Sequence, residues 1–216
     1  MKKLIIAIIT SLILTFIFII ITSVYAFSII IGSNNNSSNN GIFILPEGVE
    51  FVDFPLLCDR YIVTSDFIDE EYYNQFGHYH HAIDLVGFIE GDNTNVPVVT
   101  LYNGVVHSVL NDIGASAGYG VIMYHEEMNL YILYCHFAYE PLVEVGQELM
   151  AGDIIGIQGT TGASTGIHLH LAFYLGGYGF DYKVDPRDYL ELCDKGQWCY
   201  PLQNNINDEI KESEEF

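Results

Sequence analysis

Two histidines two residues apart close the stretch Gly159-Thr-Thr-Gly-Ala-Ser-Thr-Gly-Ile-His168-Leu-His170-Leu171. On a β-strand, residues i and i+2 project from one face. The spacing therefore predicts His168 and His170 side by side, with Leu169 and Leu171 turned into the core behind them. Paired imidazoles on a rigid strand suit metal binding or proton transfer; the plainer reading of this stretch alone is a strand with two incidental histidines. Upstream, His80-His-Ala-Ile-Asp84 places a histidine and a carboxylate four residues apart. That spacing says little by itself, because His and Asp often meet in polar loops. Joined to His168 and His170, it supplies the nitrogen and oxygen donors of a catalytic zinc site, which uses three protein ligands and keeps one position open for water. The helical HExxH arrangement is absent, so such a site must be built on strands.

The elements that would position these groups read as short apolar segments cut by Gly, Asn and Asp, the pattern of an all-β domain. Strands are expected at 61–65, 96–101, 104–110, 120–125, 130–136, 154–158 and 168–174. The aromatic and acidic stretch Phe67–Phe76 is expected to be a loop over one end. Cys193 and Cys199 flank the short loop Asp-Lys-Gly-Gln-Trp and are expected to close it as a disulfide, since such a loop can bring two Cα atoms within the roughly 4.4–6.8 Å required. Cys135 falls in a strand, where a buried free thiol is common, and no CxxC pair points to a thiolate zinc site.

The 216 residues allow one sizeable core with small appendages. Formal net charge is −21, from seven Lys plus Arg against 28 Asp plus Glu. Such a surface excludes nucleic-acid binding, because phosphate contacts need Lys and Arg to displace counterions. Lys2-Lys3 precedes an uncharged apolar run from Leu4 to Ile31. As a helix it would span about 42 Å, more than a bilayer core of roughly 30 Å. Val24-Tyr25-Ala26 resembles a signal-peptidase site, but the run is longer than a usual signal core and continues past the cut. The expectation is an uncleaved N-terminal transmembrane anchor over 1–31, with Lys2 and Lys3 inside and the rest exported to the cell envelope; cleavage after Ala26 would leave a secreted protein. An Asn/Ser-rich linker follows over 32–46, then a folded domain over 47–200 and an acidic tail over 201–216.

In order along the chain, His80-x-x-x-Asp84, Tyr134-x-His136 and His168-x-His170 resemble the lysostaphin/LytM-type zinc endopeptidases that cut peptidoglycan cross-links. The segment Pro97–Val106, the glycine-punctuated Val145–Gly156, the Gly159–His170 motif, and Asp185-Pro186 followed by Tyr189-Leu190 resemble that family as well. The resemblance covers roughly residues 60–190. It implies a folded antiparallel β-sheet related to the barrel-sandwich hybrid, a bound Zn2+ held by His80, Asp84 and His170, and His136 and His168 as catalytic histidines acting on peptidoglycan peptides. Several positions depart from the family pattern. Ala82 and Ile167 stand where glycine and proline are usual, no Gly-x-Arg follows Ser65-Asp-Phe67, and extra residues around 90–94 lengthen the loop after Asp84. His81 competes with His80 as a ligand, and His78, His107 and His125 read as structural or incidental. Tyr134 shares alternation with His136, so it either lines the cleft or packs as an ordinary aromatic.

Two rivals are weighed against the enzyme. A catalytically silent envelope scaffold would be expected to lack part of the ligand set, which this chain keeps. A lipoyl- or biotinyl-type carrier shares the hairpin pattern around 145–156 but needs a modified lysine on a turn, and no lysine lies between Lys3 and Lys183.

Overall fold

A computed structural model of the chain describes residues 45–46 and 49–201. The expected anchor, most of the linker and the acidic tail beyond Pro201 lie outside those residues. Among the described residues, no helix is long and apolar enough to cross a membrane.

The strands are β1 (Arg60–Ser65), β2 (Ile83–Phe88), β3 (Pro97–Val99), β4 (Gly104–Asn111), β5 (Tyr119–His125), β6 (Leu130–Phe137), β7 (Glu148–Leu149), β8 (Ile154–Ile157), β9 (Leu169–Leu175), β10 (Lys183–Val184) and β11 (Trp198–Cys199). Every pairing is antiparallel. Nine strands form one sheet in the order β11-β1-β2-β9-β6-β5-β4-β7, with β10 added beside β9, while β3 and β8 pair separately. The expected antiparallel all-β domain is what forms.

Strand β2 is missing from the expected set. Ile-Asp-Leu-Val-Gly-Phe is buried through its first five residues, so it lacks the alternation of apolar and polar residues that marks a half-exposed strand. The stretch expected as a loop, Phe67–Phe76, also differs: Glu70–Phe76 is a helix, α1. Asp69 caps it by accepting from the backbone N–H of Glu71 and Tyr72, and Gly77 ends it in the left-handed region at φ 79°. Two turns of helix without a buried face leave no apolar period to read, and here the cap residues carry the signal.

Alternation divides the central strands between two faces. Leu169, Leu171 and Phe173 of β9 pack with Leu130, Ile132 and Tyr134 of β6 and with Ile83 and Leu85 of β2 in the main core. Ala172 and Tyr174 share the other face with Leu133, Cys135 and Ala82. His170 and Asp84 have the parity of that second face. Cys193 and Cys199 form the expected disulfide, with Cα atoms 6.4 Å apart, and Cys135 is a buried free thiol.

Candidate active site

The strand register brings the first groups together. Asp84 on β2 pairs directly with His170 on β9, and His170 pairs on its other side with Cys135 of β6. Directly opposed residues of neighbouring strands share a face within about 4.5–5.5 Å, so Asp84 and His170 must meet. Asp84 Oδ1 lies 2.9 Å from His170 Nδ1 and 3.2 Å from His80 Nε2. His80 Nε2 is in turn 3.1 Å from His170 Nδ1. His168, bridged to Gly159 just before β9 begins, reaches the same carboxylate with Nε2 at 3.6 Å.

His136 arrives by a different route. The β5–β6 register runs from Tyr119↔Phe137 to Gly120↔Cys135 and skips His136. His136 is thus the extra residue of a β-bulge, with φ at +65°. Simple alternation would send it into the main core with Tyr134. The bulge instead sets its ring 4.8 Å from that of His168 and 5.5 Å from that of His170. Tyr134 stays in the core, where its hydroxyl accepts from the Leu101 N–H at 3.0 Å, so of its two open readings the packed aromatic is the one realised.

Second partners orient the rings. His80 Nδ1 meets the Asp66 carbonyl at 3.2 Å, His136 Nδ1 the Thr161 carbonyl at 2.8 Å, and His168 Nδ1 the Gly166 carbonyl at 2.8 Å. A carbonyl only accepts, so each Nδ1 carries the proton, and a neutral ring then presents a lone pair at Nε2. Tyr72 of α1 stacks on His80 with ring centroids 4.6 Å apart.

Burial alone would raise the Asp84 carboxyl, but the bonds with His170 and His80 outweigh it and hold the group well below the usual carboxylate range. Burial pushes His136 down to about 4, with the neighbouring His170 and His168 rings acting in the same direction. Burial likewise lowers His170, against the pull of Asp84.

Among the described residues, two groups of donors could hold a metal ion, His80–Asp84–His170 and His136–His168–His170. The first has the tighter chemistry. A His80 lone pair and an ionised Asp84 oxygen stand 3.2 Å apart, and two acceptors at that distance need a cation between them, whether proton or metal. Donors bound at about 2.0–2.1 Å to a tetrahedral ion stand roughly 3.3–3.4 Å apart, close to the spacings found. All five residues singled out in the sequence are brought together. His81 is not: its ring packs against Phe67 and Phe180. His125 is buried at the end of β5 and His107 lies against Tyr131, both away from this cluster. Tyr72 and the carbonyls of Asp66 and Thr161 went unread in the sequence, because backbone acceptors leave no signal in residue types.

Residues 78–182 match the profile of Peptidase family M23. The chain carries an M23 peptidase domain. An uncharacterized metalloprotease of Haemophilus influenzae is 33% identical over 81 residues, covering 38% of this chain and 16% of that protein; the match thus spans about one sixth of the relative. A zinc-containing peptidase from Vibrio cholerae shares the fold with a TM-score of 0.51 at 24% identity, over 67% of this chain and 40% of that one. The catalytic domain of lysostaphin from Staphylococcus simulans aligns with a TM-score of 0.48 at 21% identity, over 61% of this chain and 91% of that domain. The M23 match runs from His78 to Tyr182 and so includes all five clustered residues.

Proposed function

We propose that the M23 domain is a zinc-dependent endopeptidase that hydrolyses peptide cross-links of bacterial peptidoglycan in the cell envelope. The observation that carries this reading is the convergence of His80, Asp84 and His170 on one point, with His136 and His168 beside it. The two-nitrogen, one-oxygen donor set suits zinc, and the names of the Haemophilus and Vibrio relatives agree with a metal-dependent peptidase. The ordered motifs shared with the lysostaphin/LytM-type enzymes support peptidoglycan peptides as substrate.

His80, Asp84 and His170 would hold the zinc, which when bound lowers the pKa of its water to about 7 and polarises the scissile carbonyl. His168 and His136 do the proton work. Each has its Nδ1 hydrogen committed to a backbone carbonyl, so Nε2 is free to take a proton and later return it. Burial keeps His136 neutral at physiological pH, which makes it an acceptor at the start of the cycle and a donor to developing oxyanion charge once protonated.

Digestion of purified peptidoglycan of defined cross-link chemistry, with mass spectrometry of the released ends, tests the substrate. New amino termini within the cross-links, abolished by a chelator and restored by zinc, are expected; intact cross-links in the zinc-loaded protein would refute the reading. The charged start Lys2-Lys3, the apolar run Leu4–Ile31 and the Asn/Ser tether support a membrane-anchored chain with the peptidase outside. Protease added to protoplasts should remove the domain and leave the anchor in the membrane fraction. A mature amino terminus at Phe27 would instead mean a secreted protein.

A further inference from the structure

The loop that follows β1 encloses His80 on several sides. The Asp66 carbonyl accepts from His80 Nδ1, the Ile68 N–H donates to the His80 carbonyl at 2.6 Å, and Tyr72 stacks on the ring. None of these groups is held from within the loop by a cation. They are held from the far end of the chain.

Arg187, in the 3₁₀ turn Pro186–Asp188, donates from Nε to Asp66 Oδ1 at 2.7 Å. Its Nη1 and Nη2 donate to the carbonyls of Leu192 and Cys193 at 3.0 and 2.9 Å. Lys195, inside the loop closed by Cys193–Cys199, places Nζ 2.6 Å from Asp69 Oδ2 and 2.6 Å from Glu71 Oε2. Asp69 in turn accepts from the N–H groups of Asp66, Glu71 and Tyr72. The Gly196 N–H donates to the Val63 carbonyl, and Cys199 pairs with Tyr61, so the closed loop is fastened to β1 as well.

The two ion pairs of Lys195 differ in weight. Glu71 is exposed in its side chain, and such a pair contributes little. Asp69 is buried at 7% exposure, and removing its cation would leave an uncompensated charge beneath α1. The chain is strongly acidic, and among the described residues its cations are Arg60, Lys183, Arg187 and Lys195. Two of the four are spent on the one loop that seats His80. A surface pair could use any carboxylate; these two bond a residue whose carbonyl orients His80 and a residue whose carboxylate caps the helix bearing Tyr72.

We propose that Arg187 and Lys195 are positioning residues for the metal ligand His80. They act through Asp66 and Asp69, with the Cys193–Cys199 loop as their frame, and touch neither metal nor substrate. Metal affinity therefore depends on a segment more than 100 residues downstream of His80. The proposal rests on the reading of His80, Asp84 and His170 as metal ligands.

The test uses the full chain in detergent, stripped by chelator, with Co2+ alone as probe followed by its visible absorption. Lys195→Met and Arg187→Met should each weaken Co2+ by about 10–100-fold, the usual effect of losing an outer partner of a ligand. Lys195→Arg should restore the affinity, and the metal-free Lys195→Met protein should melt within a few degrees of wild type. Wild-type affinity in either Met variant would overturn the proposal, as would a loss that Lys195→Arg does not restore. Should Arg187→Met fail to fold, Lys195→Met decides, because its ammonium lies at the surface loop. His80→Ala separates the two levels: if it binds Co2+ as tightly as wild type, the ligand assignment itself falls. If it does not, while Lys195→Met binds normally, only the positioning role falls.

Discussion

The ring of His136 stands 4.8 Å from that of His168 because β6 carries one residue more than β5 can pair. Without that bulge, His136 would follow Tyr134 into the core, and one histidine instead of two would stand beside His80, Asp84 and His170.

The proposed roles divide labour among the histidines. His80→Ala, Asp84→Ala and His170→Ala should each lose zinc, measured by elemental analysis. His136→Ala and His168→Ala should keep zinc yet lose about 10²–10⁴-fold in rate on a cross-link peptide, the usual share of a positioned proton-transfer group. The competing donor group His136–His168–His170 makes the opposite forecast. Zinc lost on His136→Ala but kept on His80→Ala would identify it as the ligand set.

Gly162 should be sensitive although it touches no reacting atom. It sits at φ +77°, and a Cβ there would come 2.4 Å from the Gly118 nitrogen and 2.5 Å from the Ser116 carbonyl oxygen. Gly162→Ala is expected to cost about 1–3 kcal/mol of stability and to displace the neighbouring Thr161 carbonyl that orients His136. Turnover should fall more than zinc content. A wild-type rate with unchanged melting would show that the loop relaxes freely.

His125 should make stability depend on pH. It is 1% exposed, its Nδ1 donates to the Asn103 carbonyl at 3.0 Å, and its Nε2 has no hydrogen-bond partner. Burial pushes it down from 6.5 to about 4. The unfolded chain therefore takes up a proton near pH 6.5 that the folded protein refuses until about 4. Its contribution is fully present above pH 6.5 and is lost as pH falls toward 4, on the order of 3 kcal/mol. Denaturant unfolding in chelator, compared between wild type and His125→Gln, should show a shallower decline for the variant across that window. Parallel curves would remove His125 as the cause.

The two free thiols should be inert in the native protein. Burial raises Cys58 to about 12 and also raises Cys135, and the thiolate is the reactive form. Iodoacetamide at pH 8 should label neither thiol until denaturant is added. Two labels are then expected, and four after reduction of Cys193–Cys199. Labelling of Cys135 in the folded state would mean that the sheet opens around β6.

Much of this was legible along the chain. Short apolar segments between turn residues gave the all-β class, and the His-x-His spacing placed two imidazoles on one face because a strand has period two. The interval between Cys193 and Cys199 is short enough that closure follows from reach alone. Other features had no local signal. β2 is buried across its first five residues and so shows no alternation, and α1 is too short to show a helical period. Whether Asp84 meets His170 depends on a register between strands 86 residues apart in sequence. Local periodicity says which face a side chain takes, but not which strand lies beside it. The bulge at His136 reverses even the face, since one unpaired residue shifts every parity beyond it. The types of the chemical groups were therefore a property of the sequence. Their convergence on one point was decided by pairing and by a single extra residue, because long-range register is set only when the whole sheet packs.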